Sequence, residues 1–115
     1  MSNITDISWM FNGCSNLKTL DLSKWEVPKL KMMTLMFSSC KLLKKLDLSG
    51  FNTSNVTDMA WLFAECESLE ILNLNNWDTS NVIDMSRMFY GCKSLTELDL
   101  SIFNTSNVTN MAEMF

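Results

Sequence analysis

One phrase returns at a fixed interval along the chain, and this repetition limits the folds that the chain can adopt. The segments TSNVTDMAWLFAEC and TSNVIDMSRMFYGC begin at Thr53 and Thr79. Phenylalanine and cysteine recur at the same 26-residue interval, without insertion or deletion: Phe11, Phe37, Phe63, Phe89 and Phe115, and Cys14, Cys40, Cys66 and Cys92. A period of that length is typical of leucine-rich repeats, which stack to bury a core that one repeat cannot bury alone.

Each repeat divides into a half that is typical of a strand and a half that is typical of a helix. The motif L-x-x-L-x-L alternates at its end, which predicts short strands near residues 20–23, 46–49, 72–75 and 98–101. The other half carries apolar residues spaced as on one face of a helix: Val56, Met59, Phe63 and Cys66. Gly91 suits a helix that ends on a left-handed residue.

These two patterns together predict an α/β repeat solenoid. We expect a right-handed, leucine-rich-repeat-like coil with one short parallel strand and one short helix in each 26-residue repeat. Residues 1–115 then form one solenoid domain, with four repeats at 11–36, 37–62, 63–88 and 89–114 plus a half repeat. The chain begins and ends at the same position of the repeat, and neither end shows a polar cap, so we expect the domain to belong to a longer array of repeats.

Composition argues against several classes of function. Histidine is absent and only three glycines are present, so no general base or phosphate-binding loop is apparent, and we expect a non-enzyme without a cofactor. The net charge of −4 gives no basic footprint for nucleic acid. No apolar run reaches the ~18 residues of a membrane helix, so we expect no direct membrane insertion. The start MSNITDISW is unlike a signal peptide, and no targeting signal is apparent.

The consensus sequence of the repeat resembles that of a known family. It reads MFSSCKLLKKLDLSGFNTSNVTDM from Met36 and MFYGCKSLTELDLSIFNTSNVTNM from Met88. This resembles the BspA-like leucine-rich repeat surface proteins of bacteria, a group that includes many mycoplasmal lipoproteins, over essentially the whole chain. The resemblance implies a cell-surface or extracellular location and a non-catalytic role in adhesion or protein–protein interaction. One stretch, KWEVPKLKMMTL from Lys24 to Leu35, departs from the wording.

Three polar or sulfur columns admit both a structural and a functional interpretation. The cysteines could form disulfides or a metal site, but without a C-x-x-C motif or a histidine we favour free, buried thiols. The asparagine column Asn55, Asn81 and Asn107 could be read as glycosylation acceptors, and N-V-T at Asn55 and Asn107 matches that pattern, yet we favour amides that satisfy backbone groups in each turn. The acids at Asp21, Asp47 and Asp99 could hold a cation, although solvated carboxylates are the simpler interpretation.

One column predicts a surface for a partner. Position 61 points away from the apolar face of the predicted helix, and its equivalents run from tryptophan to glutamate, so the column cannot belong to the core. We expect its first three members to face solvent: Trp9, Leu35 and Trp61. Basic residues follow in the irregular stretch, at Lys24, Lys29 and Lys31, and in the next unit, at Lys41, Lys44 and Lys45. An exposed apolar stripe with a basic rim is typical of an interaction site, and the alternative is tolerated surface variation.

Two function classes remain open at this point. In the first, the chain is an adhesion or interaction module that binds a protein or glycan partner. In the second, it is a rod or fibre subunit that assembles head to tail through uncapped ends. Residues 1–50 hold seven lysines against four acids, which gives +3, and residues 51–115 hold two cations against nine acids, which gives −7. This asymmetry would orient a contact between copies.

Overall fold

Hydrogen bonds between successive repeats organise the chain. The computed structural model describes residues 3–115, and in that part the regular strands are β1 (Lys45–Asp47) and β2 (Ile71–Asn73). The two strands are parallel, with Leu46 opposite Leu72 one repeat further on. Isolated parallel bridges repeat this register elsewhere: Asp6 to Met32, Met32 to Asp58, Asp58 to Asp84, and Asp84 to Asn110.

The predicted α/β solenoid with a helix in each repeat is wrong. No helix forms in residues 3–115, and over the same span the strands predicted near 20–23 and 98–101 are missing. The other two strands begin one residue earlier than predicted and are shorter. The described chain is a compact globule of 31 × 30 × 21 Å rather than a coil with alternating helices and strands. Nothing in this part of the chain offers a helix that could cross a membrane.

The segment predicted to be helical forms overlapping turns instead. Within residues 59–66, alternate N–H groups donate three residues back, as Leu62 does to the Met59 carbonyl at 3.3 Å. The residues between them donate to the next repeat, as Trp61 does to the Ser86 carbonyl at 2.9 Å. An α-helix would need each N–H to bond four residues back. Hydrogen bonding between repeats has therefore replaced the helical pattern.

Left-handed residues hold these turns in place. Trp61 and Glu65 have φ angles of 60° and 61°, and they are the third residues of the turns that begin at Met59 and Phe63. A type II turn requires positive φ at its third position. A right-handed helix cannot pass through such residues without a break. Gly91 has the expected left-handed φ, 74°, but it lies in a turn rather than at a helix end.

The apolar spacing nevertheless identified inward-facing residues. The predicted helix face is fully buried: Val56, Met59, Phe63 and Cys66. The phenylalanine column forms a ladder of near-parallel rings with centroids 5.6–5.8 Å apart, which we call the phenylalanine ladder. In the leucine columns the repetition is less faithful, because Leu46 is buried while Leu72 is only partly buried against the core.

Candidate functional site

The cysteine column lies against the phenylalanine ladder as free thiols. Cys40 and Cys66 are fully buried, and Cys14 and Cys92 are half-buried. Three of the thiols donate to a phenylalanine carbonyl of the preceding repeat, as Cys66 does to Phe37 at 3.1 Å. Burial raises the pKa of the Cys40 and Cys92 thiols to about 11 and shifts that of Cys66 in the same direction. These thiols stay protonated at neutral pH and are poor nucleophiles.

The asparagine column connects one repeat to the next at the surface. Asn81 and Asn107 each donate a side-chain N–H to a serine carbonyl of the preceding repeat, at 2.7 Å in both cases. An open groove of about 640 Å³ runs along this column, and we call it the asparagine groove. Its lining comprises Lys31, Asn55, Thr57, Asn81, Ile83, Asn107 and Thr109. The two amides that donate are held in one orientation, since each spans two repeats.

The aspartate column caps turns. Asp21, Asp47 and Asp99 are exposed, and each accepts a hydrogen bond at 2.9 Å from the backbone N–H two residues later. Hydrogen bonds from the hydroxyl and the backbone N–H of that serine lower the pKa of all three carboxyl groups. Between residues 3 and 115, no three acidic, cysteine or histidine side chains converge as a metal site would require. The carboxylates therefore have a local role in the turns.

The candidate partner stripe belongs to a longer column, which we call the outer column: Trp9, Leu35, Trp61, Arg87 and Glu113. Trp9 is 61% exposed, as predicted, but Leu35 and Trp61 are half-buried. The Arg87 guanidinium carbon lies 4.5 Å from the Trp61 ring centre, and its nitrogens donate to both Glu113 oxygens at 3.1 Å. The hydrogen bond and the charge of Arg87 lower the pKa of Glu113. Only the half with Trp9 and Leu35 is left without such partners in the described structure.

The backbone is the same at all five positions of the outer column, although the side chains differ. Their φ angles lie between 51° and 66°. In L-residues this left-handed conformation costs about 1–2 kcal/mol, a cost that glycine avoids. None of the five is glycine. Every repeat therefore presents a side chain at this position in spite of the conformational cost.

The lysines of the irregular stretch, which were predicted to rim the stripe, make contacts outside the outer column. The Lys29 ammonium donates to the Asn3 side chain at 3.2 Å, and Lys31 lines the asparagine groove. Lys24 is exposed beside Trp25, whose ring stacks on Phe51 in a different column. None of these contacts is with the outer column, so the basic rim stays a prediction.

Lysines also line a groove that was not predicted from the sequence. Lys18, Lys44 and Lys45 line a depression of about 600 Å³, with Leu20 and Leu42 among its apolar residues. We call it the basic groove. The pattern that could have found it is L-K-x-L in consecutive repeats, in LKTL and LKKL, because it places equivalent lysines one repeat apart beside the strands.

Comparison with known proteins identifies a family. No curated protein and no solved structure matched the chain. The model of the family described as "Mycoplasma protein of unknown function, DUF285" matches residues 1–71 and again residues 58–115. Two overlapping matches are what a repeated sequence produces when the family model spans several repeats. Since the matches together cover the whole sequence, the chain belongs to the DUF285 family.

Proposed function

We propose that the chain is a non-catalytic, BspA-like binding module of the bacterial cell surface that recognises a partner protein through its outer column. The observation that carries this proposal is the contrast within that column. Its backbone conformation is the same at all five positions, while its side chains change from tryptophan to leucine, arginine and glutamate. A constant frame that presents variable side chains is the arrangement that repeat proteins use for recognition.

Trp9 is the expected anchor of the contact. It is the most exposed tryptophan, at 61%, and its neighbour in the column, Leu35, is half-buried. Tryptophan is enriched among the residues that dominate binding energy, because a large rigid ring loses little entropy and excludes much water. The Trp61 ring, in contrast, already contacts Arg87, which itself pairs with Glu113. The end of the column with Trp9 and Leu35 therefore supplies the apolar contact, and the end with Trp61, Arg87 and Glu113 supplies its polar border.

Binding of the fluorescently labelled chain to cultured epithelial cells tests the proposal. We expect saturable binding that is lost when the cell surface is treated with trypsin and is largely lost in the double variant Trp9→Ser/Leu35→Ser. Ile102→Ser is the matched control, since Ile102 is also exposed, at 44%, but lies outside the column. Circular dichroism of each variant establishes that it is folded.

Equal binding by the double variant and the control would contradict the proposal. Binding that resists trypsin but is removed by glycosidases would also contradict it, because the partner would then be a glycan rather than a protein.

A further inference from the structure

The basic groove lies beside a gap in the hydrogen bonding between repeats. The Ile71 N–H of the third repeat donates to the Lys44 carbonyl of the second at 3.2 Å. The equivalent bond from Lys45 to the Lys18 carbonyl is missing, and within residues 3–115 no backbone hydrogen bond joins residues 18–22 to residues 44–48. Residues of both segments line the groove. The groove therefore marks the place where the first repeat is not bonded to the second along the strands.

This gap leaves main-chain groups at the edge of β1 without a partner. On the side of β2, Lys44 accepts from Ile71, and the Leu48 N–H donates to the Asn73 carbonyl at 3.0 Å. Successive residues of a strand direct their N–H and C=O groups to opposite neighbours, so those of Lys45 are directed to the first repeat. No backbone bond meets them there in the described part of the chain. Unpaired groups at a strand edge are a template for the backbone of another peptide.

The charges that line the groove are all positive. Its three lysines, Lys18, Lys44 and Lys45, are exposed, and no acidic residue is among those that line it. None of the three lysines takes part in either of the ion pairs formed within residues 3–115. Three unpaired cations around one depression favour an anionic occupant, because complementary charge both attracts and orients a partner.

Acidic side chains lie near the groove without lining it. Asp21 and Asp47 follow on the same face, and Glu70, whose N–H donates to the Lys44 carbonyl at 2.9 Å, is exposed in the third repeat. Each of the two aspartates accepts a hydrogen bond from the backbone N–H two residues later. A long anionic chain that ran along this face would be repelled by these carboxylates. The positive region is therefore short and confined to the groove.

We propose that the basic groove binds a short acidic segment of a protein in an extended conformation. Its carboxylates contact the three lysines, and aliphatic side chains between them cover Leu20, which is half-buried, and Leu42, which is 41% exposed. Successive side chains of an extended segment point to opposite sides. The aliphatic side chains can thus reach the leucines while the acidic ones reach the ammonium groups, which the long lysine stems carry above the apolar surface.

A sulfated glycan or a nucleic acid fits this groove less well. Bases of nucleic acids stack on aromatic side chains, and no aromatic residue lines the groove. A glycan has neither aliphatic side chains for Leu20 and Leu42 nor a peptide backbone for the edge of β1. This inference is independent of the proposed function, because the basic groove has no residue in common with the outer column.

Fluorescence anisotropy of a labelled synthetic peptide of alternating glutamate and leucine tests the inference. We expect a dissociation constant below about 1 mM, and weaker binding when sodium chloride is raised from about 50 mM to about 500 mM, because exposed charges are screened. Peptides with glutamine in place of glutamate, or with serine in place of leucine, should bind at least about tenfold more weakly. The proposal is overturned by the absence of binding at about 1 mM, or by equal binding of the three peptides.

Paired lysine variants identify the surface that binds. We expect Lys18→Ala/Lys44→Ala to raise the dissociation constant about tenfold or more. Lys24→Ala/Lys93→Ala is the matched control, since both lysines are exposed, neither lines the groove, and the net charge changes by the same amount. The control should bind the peptide as the original chain does, and equal losses in the two variants would contradict the proposal. A sulfated glycan that binds the groove lysines more tightly than the peptide would also contradict it.

Amide chemical shifts of the original chain give a second readout that does not depend on the folding of a variant. On addition of the peptide, the shifts of residues 18–20 and 44–45 should change most, because these residues line the groove. Changes confined to residues outside the groove would place the peptide elsewhere and overturn the proposal.

Discussion

The phenylalanine ladder and the outer column use the same repeat in opposite ways. Along the ladder both the backbone and the side chain are constant, and successive rings stack 5.6–5.8 Å apart. Along the outer column the backbone is constant, with φ between 51° and 66°, but the side chain changes. Inside, each ring contacts the ring of the next repeat, so a substitution alters the packing of three repeats. At the surface, the choice of side chain is restricted only where neighbouring side chains touch, as those of Trp61 and Arg87 do.

The largest expected effect comes from a gap in the phenylalanine ladder. Phe63 is fully buried, and its ring lies 5.8 Å from Phe37 and 5.7 Å from Phe89. We expect Phe63→Ala to lower the free energy of unfolding by about 3–5 kcal/mol, because it leaves a cavity between two repeats. Trp9→Ala in the outer column should change it by only about 0.5 kcal/mol. Urea denaturation measures both, and equal losses would show that the inner and outer columns do not differ as described.

A smaller effect should follow from removing a buried hydroxyl that joins two repeats. Thr53 is 1% exposed; its hydroxyl donates to the Asp78 carbonyl at 3.1 Å and accepts from the Asp78 N–H at 2.9 Å. Thr53→Val leaves both backbone groups without this partner, and we expect a loss of about 1–3 kcal/mol. The exposed Thr57 provides the control, because Thr57→Val should leave the urea midpoint nearly unchanged. A urea midpoint for Thr53→Val equal to that of the control would show that this hydroxyl does not stabilise the fold.

Relief of a left-handed residue should have a smaller effect, of opposite sign. Ser39 has φ 62°, at a position where the first and fourth repeats have Gly13 and Gly91 with φ 75° and 74°. We expect Ser39→Gly to raise the free energy of unfolding by about 0.5–1 kcal/mol, since glycine adopts this conformation without a steric cost. Ser39→Ala retains the Cβ and should give no gain. Thermal denaturation of the two variants side by side decides the matter, and a lower melting temperature for the glycine variant would refute the expectation.

The smallest effect concerns pH and the aspartate column. The folded pKa values of Asp21, Asp47 and Asp99 lie below the ordinary value of 3.8, through hydrogen bonds from serine. The stabilisation is therefore complete above pH 3.8 and is lost as the pH falls through the lowered values. The third repeat already has Asn73, which accepts the same backbone hydrogen bond at 3.0 Å. A triple Asp→Asn variant should keep the turns, and its free energy of unfolding should depend less on pH in the acid range. An unchanged pH dependence would exclude these carboxyl groups as its cause.

Periodicity in the sequence predicted which residues lie inside but not the conformation that places them there. The spacing of Val56, Met59, Phe63 and Cys66 is satisfied by overlapping turns as well as by a helix, and all four are buried. The deciding hydrogen bonds, such as Trp61 to Ser86, join residues far apart in sequence and leave no local pattern. Left-handed φ at tryptophan and glutamate was equally hidden, because glycine is the usual marker of that conformation.

Surface features were missed for the same reason, because they depend on residues that lie far apart in sequence. Trp9 was identified because a column that runs from tryptophan to glutamate cannot lie in a core. The lysines near it in sequence proved to lie in other columns, as Lys31 does in the asparagine groove. The recurring L-K-x-L pattern places the lysines of the basic groove one repeat apart, but their lack of ion pairs within residues 3–115 is visible only in the structure.

Hydrogen bonds between repeats take the place of helical hydrogen bonds in this chain, and scalar couplings across hydrogen bonds distinguish the two patterns. In the isotopically labelled chain, we predict a coupling from the Trp61 amide nitrogen to the Ser86 carbonyl carbon and one from Phe63 to Met88, across bonds of 2.9 Å. Helical carbon shifts over residues 56–66, with couplings from each amide to the carbonyl four residues before it, would contradict the account.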